Sequence, residues 1–194
     1  MKSSYVPLLR RRRRGLTDYR ARRRAIASQK PLLVVRVSNK NVSSQFVKPM
    51  AKGDLVVSSA HSRELIKLGW QGSLKSTPAC YLLGMLAGKK AQAKGVNEAV
   101  LYAGVLPFVR GARVAAFVKG AIEAGVQIPM GEEAFPTAEQ LNGKTISEYA
   151  TMLSSEDEKS YGKKFSALLK SGFDPKGYPA QVERTKAAIM GGKK

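Results

Sequence analysis

Apolar positions recur with a two-residue period early in the chain and with a helical period later. Leu32-Leu33-Val34-Val35-Arg36-Val37, opened by Pro31, is a β-branched run typical of a strand. Ser38-Asn39-Lys40-Asn41 supplies turn residues, and Val42-Ser43-Ser44-Gln45-Phe46-Val47 reads as a second strand, so the two predict an antiparallel hairpin. Gly53-Asp54 is expected to turn the chain into a third strand, Leu55 to Ser59. Ser62 is a candidate N-cap, with Leu65, Ile66 and Leu68 on a short helix behind it. A glycine-punctuated loop, Gly69 to Ser76, leads to a longer helix. Ser76 or Thr77 caps that helix, Pro78 fits its first turn, and Tyr81, Leu82, Met85 and Leu86 recur at helical spacing as far as a stop at Gly95. Ala99 to Tyr102 reads as a short buried strand. Val114, Phe117, Val118, Ala121 and Ile122 mark a further helix between Gly111 and Gly125.

After Pro129 the texture changes. Glu132, Glu133, Glu139, Glu148, Glu156, Asp157 and Glu158 bring acids into a basic chain, and short helical patterns follow around Tyr149, Met152 and Leu153, then Tyr161, Phe165 and Leu168, then Val182, Ile189 and Met190. The pattern predicts one mixed α/β (α+β) layer fold, a small and mostly antiparallel mixed sheet packed with helices. Its 194 residues divide into a basic, extended N-terminal arm (1–30), a core domain (31–129) and a helical C-terminal extension (130–194) that packs on the core or on a partner.

Hydrophobic residues make up 43% of the chain, enough for a core. No apolar run reaches the roughly 18–20 residues of a membrane span, so no membrane partner is expected. What changes the picture is charge. Residues 1–30 hold eleven Lys and Arg against Asp18 alone, which is half of the formal net charge of +20. No apolar stretch follows these arginines as a secretory signal requires. Five consecutive arginines give no clean amphipathic face for a mitochondrial presequence. A polybasic membrane patch would lack a lipidation site, since Met1 is followed by Lys and the chain ends Gly-Gly-Lys-Lys. A solubilising tail and a nucleic-acid arm remain. Nine of the eleven basic residues are Arg, whose guanidinium forks bind phosphate bidentately and stack on bases, and this favours RNA. Arg10, Arg11, Arg12, Arg13, Arg14, Arg20, Arg22, Arg23 and Arg24 are the candidate ligands, in a segment expected to order on RNA.

Further candidates lie in the core. Arg36, Ser38, Asn39, Lys40 and Gln45 alternate out of the first hairpin, where polar donors on a rigid sheet face can read phosphates and 2′-hydroxyls, or simply be solvated. Trp70, in its glycine-rich loop, either stacks on a base or anchors the loop. Arg110, Arg113 and Lys119 flank the start of the third long helix, whose dipole adds to the attraction for phosphate.

Catalytic machinery is not evident. There is no phosphate-binding loop or nucleophile elbow, and Gly84-x-x-x-Gly88-Lys89-Lys90 falls inside a helical pattern, where it reads as helix packing. His61, the single histidine, sits among serines as a turn or capping residue. Cys80, the single cysteine, reads as a small core residue, which excludes an intramolecular disulfide and a Cys-cluster zinc site. Glu132 and Glu133, adjacent, would face opposite sides of a regular strand and not pair for acid–base work. No metal, cofactor or small-molecule substrate is expected. An RNA-processing enzyme or its basic subunit, and a polybasic membrane-surface protein, are the weaker alternatives.

Ser38-Asn39-Lys40-Asn41-Val42-Ser43-Ser44-Gln45, Ser59-Ala60-His61-Ser62-Arg63-Glu64-Leu65 and Gly69-Trp70-Gln71-Gly72 together resemble the 5S rRNA-binding large-subunit ribosomal protein family, numbered eighteen in bacteria and five in eukaryotes. Thr77-Pro78-Ala79-Cys80-Tyr81-Leu82-Leu83-Gly84, Arg110-Gly111-Ala112-Arg113-Val114 and Lys119-Gly120-Ala121 continue the likeness over nearly the whole chain. The long basic start and acidic helical tail are similar to the archaeal form. The resemblance implies a non-enzymatic role in the cytoplasm, on the ribosome, with 5S rRNA, 23S rRNA and neighbouring large-subunit ribosomal proteins as partners in the central protuberance. It assigns 5S contacts to Arg36, Ser38, Asn39, Lys40 and Gln45, threads the Arg10–Arg24 arm between RNA elements, and gives Trp70, Lys75, Ser76 and Thr77 as a second patch. Asn41 departs from the His common in the family, and Val105-Leu106-Pro107-Phe108 stands where an aromatic-rich, often basic loop can occur.

Overall fold

The computed structural model describes residues 6–50 and 53–191. Lys2 of the arm, residues 51–52 and the final Gly192-Lys193-Lys194 lie outside the described residues.

The arm forms two short helices, α1 (Arg10–Arg13) and α2 (Tyr19–Ala27). Asp18 starts α2 by accepting from the backbone N–H groups of Arg20 (2.8 Å) and Ala21 (3.2 Å), and these bonds hold its carboxyl below the usual range. Neither helix buries a residue. With arginines on every side, α1 has no apolar stripe to dock.

Strand β1 (Leu32–Val37) pairs antiparallel with β2 (Val42–Met50), which pairs antiparallel with β3 (Gly53–His61). The register Leu33↔Phe46, Val35↔Ser44 and Val37↔Val42 sends one set of side chains inward, while Val34↔Gln45 and Arg36↔Ser43 face outward. After the short α3 (Glu64–Lys67) and the long α4 (Thr77–Gln92), β4 (Val100–Leu101) joins β1 in parallel and completes the order β3-β2-β1-β4. The last helix of the core, α5 (Arg113–Glu123), lies with α4 on the inner face of the sheet.

Three expectations change. Gly53 and Asp54 are not the hairpin turn but pair within β3, opposite Met50 and Pro49. Ser62 does not cap α3. It is fully buried, and its hydroxyl accepts from the Val42 N–H (3.1 Å) and donates to Asn41 Oδ1 (3.3 Å), which closes the end of the first hairpin. Glu132 and Glu133 lie in a 3-10 helix (Glu132–Ala134), not a strand, and both are exposed.

Ser76 caps α4, accepting from the Ala79 N–H (3.4 Å), and Pro78 occupies the first turn, where its missing N–H costs nothing. Eleven residues of α4 are buried, on all sides of the helix, because the sheet, α5 and the C-terminal helices each cover one. The α4–α5 contact is made backbone to backbone. A Cβ on Gly84 would sit 2.0 Å from the Phe117 carbonyl oxygen, one on Gly120 2.1 Å from that of Tyr81, and one on Gly88 2.6 Å from Ala124 Cβ. The glycine spacing is therefore a packing device, as its helical context indicates.

Beyond the core, α6 (Ala138–Asn142) opens with a capping box made by Thr137 and Gln140, and α7 (Lys144–Glu156), α8 (Glu158–Lys164), α9 (Ser166–Lys170) and α10 (Tyr178–Met190) follow. Helices α6 and α10 pack on α4. Tyr178 is the anchor: buried, edge-on to Trp70 at 5.9 Å and to Phe173 at 5.3 Å, its hydroxyl accepts from the Ser73 N–H (3.0 Å). Lys89 of α4 donates to the last carbonyls of α10, Ile189 and Met190, each at 2.9 Å.

Candidate nucleic-acid interface

The outer face of the sheet is polar at one end and apolar at the other. Arg36 and Gln45 are exposed on it, one step apart across the β1–β2 ladder. At the opposite end Leu32 and Val47 face each other and are buried, although neither joins the main core cluster. The arm lies beside this end. Arg22 of α2 forks onto Asp54 of β3, through Nη1–Oδ2 at 3.1 Å and Nη2–Oδ1 at 2.5 Å, and the Asp54 bond favours the charged guanidinium further.

The hairpin candidates separate into two groups. Arg36 and Gln45 share the sheet face, while Ser38, Asn39 and Lys40 form the turn beside it. Ser38 is committed to the turn itself: its hydroxyl donates to the Asn41 carbonyl (2.8 Å) and accepts from the Asn41 N–H (3.0 Å). Asn39 and Lys40 are exposed at the tip.

Arg10, Arg11, Arg12, Arg13 and Arg14 are exposed, as are Arg20, Arg23 and Arg24. Among the described residues, only Arg22 of the arm's arginines makes an ion pair. Arg11 donates through Nε to Thr17 Oγ1 (2.8 Å), which leaves its two terminal nitrogens for other acceptors. A groove of about 530 Å³ separates the arm from the sheet, and Arg11, Arg22, Arg36 and Gln45 all line it. These four are the candidates that the fold brings together.

Others it does not. Trp70 is 2% exposed and donates from Nε1 to the Ser73 carbonyl (3.4 Å), so of its two expected roles it takes the loop anchor, and no ring face is left for a base. Burial follows because Tyr178, far along the chain, closes over it. Ser76 is occupied as the helix cap and donates to Ser73 O (2.9 Å), which leaves Lys75 and Thr77 of that patch accessible. Arg110 lies 3.5 Å from Glu133 with both side chains largely in water, a pair worth little. Arg113 is exposed as the first residue of α5, whose N-cap, Ala112, makes no side-chain bond. Tyr19, Tyr102 and Asp54, which also line the groove, were missed by sequence pattern. Asp54 alone carried a signal, as a rare acid in a basic half.

The apparent chemistry dissolves into structure. His61 Nδ1 accepts from the Arg63 N–H (3.2 Å), and Glu64 accepts from the His61 N–H (3.1 Å) and pairs with Lys90, so no base faces a nucleophile. Cys80 is fully buried, and burial pushes its thiol up to about 12. The unfolded chain therefore loses this proton first, and its contribution to stability falls as pH rises from the ordinary thiol range toward 12. At pH 8 a maleimide is expected to leave the native protein unlabelled and to label it fully in guanidinium, read by mass; stoichiometric labelling of the native chain would contradict this burial. Among the described residues no cluster of His, Cys, Asp and Glu is placed to hold a metal, and no helix is long and apolar enough to cross a membrane.

A basic α+β scaffold that offers exposed arginines along an arm and a sheet face is suited to a polyanionic partner. The family described as "Ribosomal large subunit proteins 60S L5, and 50S L18" matches residues 3–99, which span the arm, the three long strands and α4. "Large ribosomal subunit protein uL18" of Thermofilum pendens (strain DSM 2475 / Hrk 5) is 45% identical over 184 residues, covering 95% of this chain and 93% of that one. The chain belongs to this family of large-subunit ribosomal proteins, and its place is the ribosome in the cytoplasm, among rRNA and ribosomal proteins.

Proposed function

We propose that this protein holds 5S rRNA against 23S rRNA in the central protuberance of the large subunit, as a structural constituent without catalytic activity. The arm (1–30) clamps RNA, the sheet face and its turn in the core (31–129) recognise it, and the extension (130–194) docks on neighbouring proteins or rRNA. The observation that carries this reading is the convergence of Arg11, Arg36 and Gln45 on one side of the sheet, with no carboxylate among the described residues paired to either arginine. Family membership supports the ribosomal setting. Arg36 and Lys40 stand on a rigid hairpin whose turn is locked by Ser38, so their charges need little reorganisation on binding.

Binding of the full chain to 5S rRNA against excess tRNA, across a salt series, tests it. A preference for 5S that survives competition is expected. Arg36→Ala is expected to weaken 5S binding about tenfold and to lower the salt slope by about one contact's worth. Equal competition by tRNA would reduce the interaction to non-specific charge.

A further inference from the structure

We propose that the groove between the arm and the outer face of the sheet takes a single unstacked nucleotide of the bound RNA, its phosphate on Arg11 and Arg36 and its base between Tyr102, Tyr19 and Gln45. The inference rests on the RNA-binding reading above and adds to it a site, an occupant and an orientation.

The groove has a volume of about 530 Å³, within the roughly 300–1,000 Å³ of sites that enclose small ligands and too small for a stacked helix. Its charge is asymmetric. Three guanidiniums, Arg11, Arg22 and Arg36, line it against one carboxylate, Asp54. Arg22 and Asp54 cancel one another in their bidentate pair, which also fixes α2 against β3 and gives the groove its wall. What remains is the positive charge of Arg11, whose orientation is set by Thr17, and of Arg36, held on the hairpin. Two fork-shaped cations without acidic partners among the described residues match a phosphodiester, whose two non-bridging oxygens share one negative charge.

The rest of the lining does not suit an inorganic anion. Two tyrosines contribute, one from each wall: Tyr19 opens α2, and Tyr102 follows β4, pinned by its backbone N–H donating to Leu33 O (2.8 Å). Aromatic rings stack any base, since every base has a π-face, and unpaired bases splayed from loops and bulges are what proteins read most readily in RNA. The Gln45 amide is exposed on the sheet face, with a donor and an acceptor to offer a base edge. Phosphate, base and edge thus each meet a suitable group within one groove.

The same chemistry could be supplied by a free nucleotide, and the experiment separates the sources. Gln45→Ala, which removes an exposed side chain, and Tyr102→Ala are each expected to weaken 5S rRNA binding about tenfold or more with an unchanged salt slope, because neither removes a charge. Tyr102→Phe is expected to retain wild-type affinity. If both alanine variants bind 5S rRNA like the wild type while the wild type still rejects tRNA, the nucleotide site is wrong and the 5S assignment stands. If the wild type does not prefer 5S, that assignment fails, and the groove is judged with a ten-residue uridine oligonucleotide and its abasic counterpart. Tighter binding of the base-bearing strand, lost in Gln45→Ala, supports the site, and equal binding overturns it. Micromolar binding of AMP that is lost in Tyr102→Ala, with rRNA affinity unaffected, assigns the groove to free nucleotide and overturns the RNA source.

Discussion

Gly84→Ala is expected to destabilise the protein by about 3 kcal/mol or more, enough to lower the melting temperature by roughly 6–12 °C in a chain of this size. The new methyl group would lie 2.0 Å from the Phe117 carbonyl oxygen and 2.9 Å from its carbon, and both are backbone atoms in the middle of α5. No rotamer change can move them; the two helices must separate. Separation would open contacts across the centre of the core, where Leu82, Leu83, Met85, Phe117 and Val118 are buried. Gly120→Ala, 2.1 Å from the Tyr81 carbonyl oxygen, should act alike from the opposite helix. Gly162→Ala supplies the contrast. That residue lies inside α8 with nothing within 4 Å of the added Cβ, so alanine's better helix propensity should raise stability by up to about 1 kcal/mol. Chemical denaturation of the three variants checks the set, and an unchanged midpoint for Gly84→Ala would mean that the helices are not in backbone contact.

Deleting residues 1–30 is expected to change RNA binding more than any single substitution, and to change chiefly its dependence on salt. The segment holds half the net charge, and its arginines, Arg22 apart, make no ion pair among the described residues. Each phosphate contact contributes roughly 0.7–0.9 to the slope of log affinity against log salt. An arm that engages about five phosphates would therefore contribute about 4, so between 50 and 200 mM salt the full chain should lose about 250-fold more affinity than the truncated one. Preference for 5S over tRNA should be reduced but not abolished, since Tyr19 and the groove's wall are lost with the arm while the hairpin turn and Arg36 remain. Filter binding of both forms to both RNAs reads the two quantities separately. A truncated protein with an unchanged slope would show that the arginines contact no phosphate.

The deletion also exposes a cost. Asp54 of β3 would lose its bidentate partner Arg22. Substituting Arg20, Arg23 and Arg24 by Gln removes charge with α2 in place and is the cleaner control.

Local pattern carries most of the fold of this chain because most of its elements are local events. The alternation through Leu33, Val35 and Val37 and the matching Val42, Ser44 and Phe46 is the pleat of a half-buried hairpin, legible in a window of six residues. Ser76, Pro78 and Gly95 mark α4 because caps and stops depend on backbone geometry within one turn. The concentration of arginine before Pro31 likewise needs no folding to announce a polyanion.

What local pattern left open depended on residues distant in sequence. Trp70 had two equal roles until Tyr178 closed over it; a flat aromatic in a glycine loop looks the same whether its partner is a base or a helix arriving from the C-terminus. Ser62 has the composition of a cap, yet the nearest unsatisfied groups in three dimensions are Val42 N–H and Asn41 Oδ1, and these outcompete the helix start. The groove between arm and sheet is walled by a contact, Arg22 on Asp54, that spans 32 positions of the chain. The sequence by itself determined the sheet strands, the helices of the core, the charge of the arm and the ribosomal family likeness, since these follow from side-chain chemistry and short-range backbone preference; the arm, read as extended, instead forms the helices α1 and α2. Tertiary structure alone decided which polar and aromatic groups are spent on holding the protein together and which remain for RNA, because a side chain is accessible only where no distant segment packs against it.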